Sequence, residues 1–548
     1  MKKFIVWIFS LSVLVMFTAC SSLEPCNGQL SGETLMIGWG ERSIAKEGPV
    51  PITGQFFLRI SQGQYSPVLA SALAVSKGEE AAIFVSVDMV LFHPKALKKV
   101  YEFLNAEQPE IPVEKIILNS THTHAGPSAN DIAADYPRRV EVISSSEMQT
   151  WIARQVADAI KDAWAKRAPG SIAYGYGFAT TGHSRRTIYL VDKGKTESNA
   201  AGTAVNGHGK MYGRTNDPDF DCYEAGTDAF INLMYTFDRR GRLTGAIINV
   251  PCPAQTNETA WMLYASFWHN VREKLEAKYG KIGVICQSAA AGDLSPRQLH
   301  YNAAELRRYR LKYKEKMAAY MRNPMRNPSN WSAEAFRRQH EYDALELMRA
   351  EDIANRIAAA FDEVLSWASQ DKRSQPVFKH EVRTVKLSRR LFPKVLIDQE
   401  KKNHAEVMKL KFKTGGDPWD QLIFNSTLKT RQNRIASLLA RYEIQEKEPG
   451  ITTDIHVVRI GDMAFATNRF ELFLDYQHRI QARSPFEQTF IVQLVTDPYG
   501  VGSYLATEKG VRNKGYSATP YCNQVSPKGG QELVEETLKM LLGLNSEK

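Results

Sequence analysis

The chain has 548 residues, of which 24% are charged and 43% are hydrophobic, and its formal net charge is +10. This balance allows a large buried core, and it excludes disordered, collagen-like and coiled-coil classes because no low-complexity tract or sustained heptad dominates. The mild positive charge slightly favours anionic substrates or surfaces. The sequence has no zinc-finger spacing, Walker loop or aromatic-basic RNA signature, so no nucleic-acid partner is expected.

The N-terminus has the pattern of a bacterial lipoprotein signal. Two lysines precede the apolar run Phe4–Phe17, which is too short for a stable membrane span, and small residues then lead to Cys20. We expect cleavage before Cys20 and lipidation of its thiol, so that residues 1–19 are removed and residues 20–34 form a tether. An ordinary signal peptide with an incidental cysteine is the alternative. No acidic run follows Cys20, so we expect a periplasm-facing membrane anchor in the cell envelope.

The remaining cysteines do not form a disulfide framework. Their number is odd and they lack CxxC spacing. A single bridge such as Cys222–Cys522 is compatible with an oxidising periplasm. Cys286 lies in an apolar run, and we interpret it as a buried, inert thiol.

Strand-length apolar runs alternate with helical periodicity through the first third of the chain. Pro94–Leu104 and Met148–Lys166 have the spacing of amphipathic helices. The apolar runs have the length of strands and lie at 67–75, 81–87 and 115–119. Strand–turn–helix repeats of this kind predict a layered α/β architecture.

The middle of the chain combines a long loop with more of the same pattern. Residues 194–219 are rich in Gly, Asn, Ser, Lys and Asp, which predicts a long loop of the kind that often carries function. Beyond this loop the patterns predict strands at 239–250 and 282–287, with a helix at 265–279 between them.

A helical block follows at about residues 303–369 and is broken at Pro324 and Pro328. Its basic run is interpreted as a solvated helix face, with a lid or a contact to an anionic surface as the alternative. Further elements continue to the C-terminus, with strands at 378–391, 451–467 and 490–495 and helices at 418–442 and 530–542. We therefore predict one large α/β domain over residues 35–548, with a layered mixed sheet and a helical insertion.

The first candidate for chemistry is His122-Thr123-His124, which follows a predicted strand and precedes a Gly-Pro turn. Sites in α/β folds commonly lie at strand ends. Alternate residues on an extended segment share a face, so both rings could line one pocket. We favour the interpretation that one of the two histidines is a metal ligand and that the other contacts the ligand shell or the substrate. A pair of polar turn histidines is the alternative.

Two further segments carry residue types that are used in catalysis. Residues 291–296 follow a strand and would expose Ser295 at a sharp turn, although many loops place a capping Asp or Ser in this way. Adjacent Arg185 and Arg186, beside His183, suit an anionic group or a developing oxyanion. An ordinary surface turn is the alternative for this second segment.

Together these segments resemble the neutral/alkaline (non-lysosomal) ceramidases. Residues 121–127 resemble that family's Thr-His-Thr-His-Ser-Gly-Pro signature, and residues 291–296 resemble its Gly-x-x-Ser-Pro serine loop. Glu471 resembles its late metal-binding glutamate, while Tyr504 and Tyr516 resemble its paired tyrosines. Order and spacing agree over most of the chain, and the combination is more specific than any one piece.

The resemblance implies a role for each matching residue. Three positions match the zinc ligands of the family: His122, Glu471 and Tyr504. Four match residues that contact the substrate, the developing oxyanion or the scissile amide: His124, Arg185, Ser295 and Tyr516. A zinc ion would lower the pKa of bound water toward ~7 and polarise the amide carbonyl.

Two features depart from the family pattern. The second zinc histidine of the family lies on the strand after the middle hairpin, where this chain has residues 249–255 without a histidine. Cys252 as a thiolate, or His183 or His269 from elsewhere, would complete the ligand set; otherwise the metal is lost and the pocket is reused. The chain also ends soon after Tyr516, so the family's C-terminal β domain is expected to be absent, and with it a positioning element for a lipid substrate.

Three functions are compatible with these residues. The favoured one is metal-assisted hydrolysis of a ceramide-like N-acyl amide or a related bond. The second is a polysaccharide lyase that cleaves a uronate-containing glycan, such as a rhamnose–glucuronate linkage, by β-elimination. There Arg185 and Arg186 would neutralise the carboxylate, and His124, His183 or one of the two tyrosines would transfer protons. The third is a non-catalytic binding lipoprotein, and all three imply contact with a bilayer through acylated Cys20.

Overall fold

A computed structural model describes residues 34–130, 136–193 and 207–546. The strands in these ranges are β1 Met36–Ser43, β2 Pro51–Ile52, β3 Arg59–Ile60, β4 Leu69–Lys77, β5 Glu80–Val87, β6 Ile116–Ser120, β7 Ala168–Phe178, β8 His183–Ser184, β9 Arg186–Tyr189, β10 Gly209–Met211, β11 Phe220–Tyr223, β12 Phe230–Asp238, β13 Leu243–Val250, β14 Gly283–Ser288, β15 Leu294–Ser295, β16 Phe378–Ser388, β17 Gly450–Ile460, β18 Met463–Thr467, β19 Glu471–Leu472, β20 Gln488–Val492 and β21 Tyr504–Leu505. The helices are α1 Pro94–Glu107, α2 Ser145–Ala165, α3 Phe267–Tyr279, α4 Asn302–Lys312, α5 Lys314–Arg322, α6 Ala333–Ala368, α7 Lys394–Lys409, α8 Pro418–Ile444, α9 Leu474–Arg483, α10 Glu508–Asn513 and α11 Pro527–Ser546. The expected signal sequence, Cys20, nearly all of the tether and residues 194–206 of the predicted loop lie outside the described residues.

Eight strands form one mixed sheet in the order β14–β13–β12–β7–β1–β4–β5–β6. Neighbours are antiparallel except at the two ends, where β13 pairs with β14 and β5 pairs with β6 in parallel. The sheet curls so far that its edge strands meet, since Asn119 Nδ2 on β6 donates to Cys286 O on β14 (2.9 Å). Residues 493–496 lie between these edges and hydrogen-bond with both. The ends of β6, β13 and β14 are therefore close in space.

A second sheet, in the order β16–β17–β18–β20, packs against the inner face of the large one. The strands are buried on both faces, so their side chains alternate between two cores. On β5, Phe84 points toward the second sheet and lies 4.8 Å from Phe465, measured between ring centroids. Ile83 and Val85 point the other way, toward α1 and α2.

Helices complete the layers on the outside of both sheets. One pair, α1 and α2, covers the half of the large sheet that contains β1, β4 and β5, and α3 with α6 covers the half that contains β7, β12 and β13. The second sheet is covered by α9 and α11. This is the layered α/β fold with a mixed sheet that the sequence predicts.

The helical block is interrupted at its prolines, as the sequence predicts. The helix α5 ends at Arg322, and Pro324 and Pro328 lie in the connection to α6. Ser332 caps α6, because its side chain accepts a hydrogen bond from Ala335 N (3.2 Å). One stripe of α6 then packs on β7 and β12, so this helix belongs to the outer layer of the domain.

The cysteines of the described residues are free thiols, so the bridge between Cys222 and Cys522 is not formed. Cys222 is exposed and Cys522 is buried. Cys286 is buried on β14, as the apolar run predicts. Over the same described ranges, no helix combines the length and the apolar character that a membrane crossing needs.

Candidate active site

Two strand ends of the large sheet and one pair of short strands bring together the side chains of the candidate site. His122 and His124 follow β6, and Gln255 follows β13. Glu471 and Tyr504 come from β19 and β21, which pair in parallel with these two residues opposite each other. These side chains come together where the edges of the curled sheet meet, and the space among them is called the crevice below.

His122 has a backbone conformation that few residues other than glycine adopt. Its φ is +64°, in the left-handed region where strain is often associated with function. Its Nδ1 lies 2.9 Å from Val90 O and carries the ring proton, because a carbonyl oxygen can only accept. In the neutral ring, Nε2 therefore presents a lone pair, and it lies 3.4 Å from Glu471 Oε2.

His124 is fixed by a chain of hydrogen bonds that begins at a buried arginine. Arg185 Nη1 donates to Gln255 Oε1 (3.2 Å), which turns the amide nitrogen of Gln255 toward His124 Nε2 (2.7 Å). His124 Nε2 therefore accepts, and the protonated Nδ1 faces Glu258 Oε2 at 3.5 Å. Burial, and then nearby positive charge, lower the pKa of His124 well below its ordinary value, so the ring is neutral near pH 7.

The guanidinium of Arg185 is a fixed positive charge in the floor of the crevice. The residue is only 1% exposed. Its Nη2 donates to Gly292 O (2.9 Å) and to Tyr504 Oη (3.3 Å), and its Nη1 lies 3.4 Å from Tyr212 Oη. Such a preorganised cation stabilises negative charge that develops on a phenol or on a substrate oxygen.

Tyr504 and Tyr516 form one wall of the crevice, with ring centroids 5.7 Å apart. Burial, and then the carboxylate of Glu471, raise the pKa of Tyr504 well above its ordinary value, and its hydroxyl hydrogen-bonds with Glu471. Tyr516 packs edge-on against Phe56 at 5.7 Å, and burial raises its pKa too. Both hydroxyl groups are therefore protonated, and can donate, near neutral pH.

Other residues that the sequence nominates make their contacts elsewhere. Ser295 is fully buried, and its Oγ accepts from Arg297 N (3.2 Å), so it stabilises the turn that leads to Arg297. His183 pairs with Ser295 across β8 and β15, and its ring lines a different cavity. Arg186, which the lyase hypothesis assigns to a substrate carboxylate, instead forms a buried ion pair with Glu224 (2.7 Å). Of the two adjacent arginines, only Arg185 hydrogen-bonds with side chains of the crevice, whereas Arg186 donates to the backbone oxygen of Tyr516 (2.7 Å).

Cys252 does not have the contacts of a metal ligand. Its Sγ donates to Thr181 O (3.2 Å), and burial raises the pKa of the thiol well above its ordinary value. Zinc binds the thiolate, so a buried thiol that is held as a hydrogen-bond donor is unsuited to the role. Gln255, further along the same stretch, is the residue that reaches His124.

The side chains present fit a metal ion held by His122 and Glu471, with Tyr504 as a third donor. His122 Nε2 lies 3.4 Å from Glu471 Oε2 and also 3.4 Å from His124 Nε2. Ligands at about 2.0–2.1 Å from a tetrahedral zinc ion are about 3.3–3.4 Å from one another. Among the described residues, no group of three or more His, Cys, Asp and Glu side chains is arranged to hold a metal ion, so a third ligand must be of another residue type. A complete ligand set therefore depends on Tyr504, whose hydroxyl group would have to lose its proton on binding the metal.

Sequence reasoning missed the polar residues that surround His124. Glu258 is held by Arg297, whose Nη2 lies 2.9 Å from Glu258 Oε1. Arg59 is fully buried and donates to the backbone carbonyl of His124. In the sequence, Gln255 stands out only as the end of a stretch that lacks a histidine. Its place shortly after an apolar strand is the one signal that could have identified it.

Comparisons with known proteins point to a single fold. No protein-family model and no curated protein matches the chain. The solved structure of neutral ceramidase from Pseudomonas aeruginosa is similar over 93% of this chain and 74% of its own, with a TM-score of 0.59 and 15% sequence identity. A structure of ceramidase complexed with C2 is similar over 93% of this chain and 75% of its own, with the same TM-score of 0.59 and 15% identity. The chain therefore has the fold of the neutral ceramidases, in a widely diverged sequence.

Proposed function

We propose that this chain is a metal-assisted hydrolase that cleaves an N-acyl amide, or a related bond, in the crevice of His122, Glu471 and Tyr504. The proposal is carried by one observation. His122 Nε2 lies 3.4 Å from a carboxylate oxygen of Glu471, a separation that two ligands of one metal ion also have. An imidazole nitrogen and a carboxylate oxygen this close are stabilised by positive charge between them. A cation site is the simplest reason for such an arrangement.

Zinc is the metal that this donor set suits best. Imidazole nitrogen and carboxylate oxygen are its usual ligands at catalytic sites, and His122 with its Nδ1 bound to a backbone carbonyl has the orientation of a typical ligand. Tyr504 would be the third protein ligand. When bound, zinc lowers the pKa of water toward ~7 and polarises a carbonyl group.

The chain's own residues supply the remaining functions of a hydrolase. His124 is neutral, and its Nδ1 faces Glu258 at 3.5 Å, so a carboxylate is in place to stabilise the ring if it gains a proton. Tyr516 is a protonated donor on the opposite wall. Arg185, fixed by Gly292 and Gln255, provides positive charge for an oxygen that becomes negative during the reaction.

The test is the metal content of purified, untagged protein together with hydrolysis of a short-chain N-acylsphingosine. We expect stoichiometric zinc in the wild type and its loss in Glu471→Ala, with loss of fatty-acid release. Glu381→Ala is the matched control, because Glu381 is a partly exposed carboxylate on β16 that pairs with Arg383. A wild-type protein that binds no divalent metal and releases no fatty acid would refute the proposal.

A second candidate is the β-elimination of a uronate-containing glycan, and Gln255 is the observation that favours it. Its amide occupies the accepting nitrogen of His124 at 2.7 Å, in the stretch where the resemblance calls for another zinc histidine. Without a metal, Arg185 would neutralise a carboxylate, Tyr504 would transfer a proton, and His124 would accept one once a substrate displaces the Gln255 amide from its Nε2. An ultraviolet-absorbing unsaturated product from an acidic glycan, formed in the presence of a chelator, would establish this chemistry.

We also propose that the chain is anchored to the periplasmic face of a membrane by lipid on Cys20. The support is the sequence pattern alone, because these residues lie outside the described part of the chain. Metabolic labelling with a fatty acid should mark the wild type, and Cys20→Ala should abolish the label and release the protein from the membrane fraction. Label retained in Cys20→Ala would refute the anchor.

A further inference from the structure

A second polar cavity lies beside the helical block, apart from the crevice of His122. Its volume is about 480 Å³, and it lies between β8, α4 and α6. His183, Tyr301, Arg308 and Arg356 are among its lining residues. The sequence nominates His183 for catalysis, but its ring lines this cavity and not the crevice. The cavity is therefore a separate candidate for ligand binding.

Positive charge is concentrated around Asp352 in the cavity wall, where Arg308 and Arg356 line the cavity and Lys312 approaches Asp352 from outside the lining residues. Three cations share the single carboxylate of Asp352: Arg356 Nη1 at 2.6 Å, Lys312 Nζ at 2.7 Å and Arg308 Nη2 at 3.3 Å. The other lining carboxylate, Glu305, already pairs with a buried arginine of α6 at 2.7 Å. One negative charge cannot balance three positive ones, so the cluster around Asp352 attracts a further anion.

The donors of the cavity are also incompletely used. The Nε of Arg356 is buried and has no hydrogen-bond partner in the described structure. The ring of His183 makes no hydrogen bond to another described residue. Burial, and then the charge of Arg356, lower the pKa of His183 to about 4, so at neutral pH its ring offers one donor and one acceptor. Unpaired donors of this kind favour a ligand that supplies oxygen atoms.

We infer that this cavity binds a sugar acid, that is, a hydroxylated ring that bears one carboxylate. The two guanidinium groups suit the planar carboxylate. Thr180, Gln298 and His183 offer partners for ring hydroxyl groups, and the 54% exposed ring of Tyr301 offers an apolar face. The volume is that of a small-ligand pocket. This inference stands apart from the proposed hydrolase, because the ligand groups and the cavity differ from those of the crevice.

The experiment is a calorimetric titration of the full-length protein with D-glucuronate, compared with D-glucose and with inorganic phosphate. We expect the wild type to bind glucuronate, to bind glucose at least about tenfold more weakly and to prefer glucuronate over phosphate. Arg356→Gln should weaken glucuronate binding at least about tenfold. The matched control is Arg337→Gln, which removes an exposed arginine of the same helix that pairs with Glu341 and should leave affinity unchanged.

Two further variants separate this site from the catalytic crevice and from misfolding. Glu471→Ala alters the crevice and should leave glucuronate affinity unchanged. If Arg356→Gln unfolds at a lower temperature than the wild type, Arg308→Gln, at a 56% exposed side chain, serves in its place. The inference is overturned by a wild type that does not bind glucuronate, by equal affinity for phosphate, or by affinity that depends on Glu471 and not on these arginines.

Discussion

Gly292 lies so close to the crevice that a single methyl group would displace a candidate metal ligand. A Cβ added at Gly292 would lie 2.3 Å from the carbonyl oxygen of Glu471, whereas ordinary contact begins at 3.4 Å. Because the obstacle is backbone, it cannot move aside as a flexible side chain would. Gly292→Ala should therefore shift Glu471 by about 1 Å, and a misplacement of that size lowers kcat/KM by about a hundredfold. The overpacking should also lower the free energy of unfolding by about 1–3 kcal/mol.

The measurements are steady-state hydrolysis of a short-chain N-acyl substrate, zinc content and urea denaturation. Gly226→Ala is the matched control, because a Cβ added there meets no atom within 4 Å. It should leave all three quantities close to those of the wild type. The reasoning is refuted if Gly292→Ala keeps wild-type activity and metal content, since the carbonyl of Glu471 would then be free to move without consequence for the site.

Three further predictions follow from buried groups. Arg186→Met should lower the free energy of unfolding by about 3–5 kcal/mol, because it leaves the buried carboxylate of Glu224 unpaired. Adding Glu224→Leu should recover part of this loss. A loss below about 1 kcal/mol in urea denaturation would contradict the prediction. Cys252→Ala should retain the zinc content of the wild type by mass spectrometry, because its thiol is held by a backbone carbonyl; loss of zinc would make the thiol a ligand after all. Burial lowers the pKa of His456 to about 4 in the native state, whereas a histidine of the unfolded chain has a pKa of about 6.5. Between these two pH values the unfolded chain binds a proton at His456 and the native state does not. Stability should fall as the pH falls from about 6.5 to 4, and His456→Leu should flatten this decline; equal slopes in both proteins would contradict it.

Local sequence patterns predict most helices and strands, because the hydrophobic periodicity and capping residues of an element lie within it or directly beside it. The helix α8 is predicted at 418–442 and extends over Pro418–Ile444, with Asp417 accepting from Trp419 N (2.8 Å) as its cap. The single strand predicted at 451–467 is wrong in one respect. It is two strands, because Gly461 adopts a φ of +66° and turns the chain inside an otherwise continuous apolar run.

The sheet order and the crevice depend on contacts that no local pattern contains. Asn119 and Cys286 join the sheet edges across 167 positions of sequence, and Arg185 meets Tyr504 across 319. A family resemblance nominates His122 and Tyr504 in spite of that distance, because each belongs to a recognisable motif. The resemblance does not identify Gln255, because Gln255 lies in the stretch where the family's histidine is missing.

The positive charge expected between His122 and Glu471 could come from a metal ion or from a proton, and the surrounding residues bear differently on the two. If His122 and Glu471 hold a metal ion, Tyr504, whose hydroxyl group hydrogen-bonds with Glu471, would be a further ligand. A proton on His122 would instead make an ion pair across the same 3.4 Å and leave Tyr504 as an acid. Gln255 weighs against a larger ligand set, since its amide occupies the nitrogen of His124 that such a set would use. One fold can host several chemistries, and the stretch after β13 is where the hydrolase and lyase proposals for this chain differ.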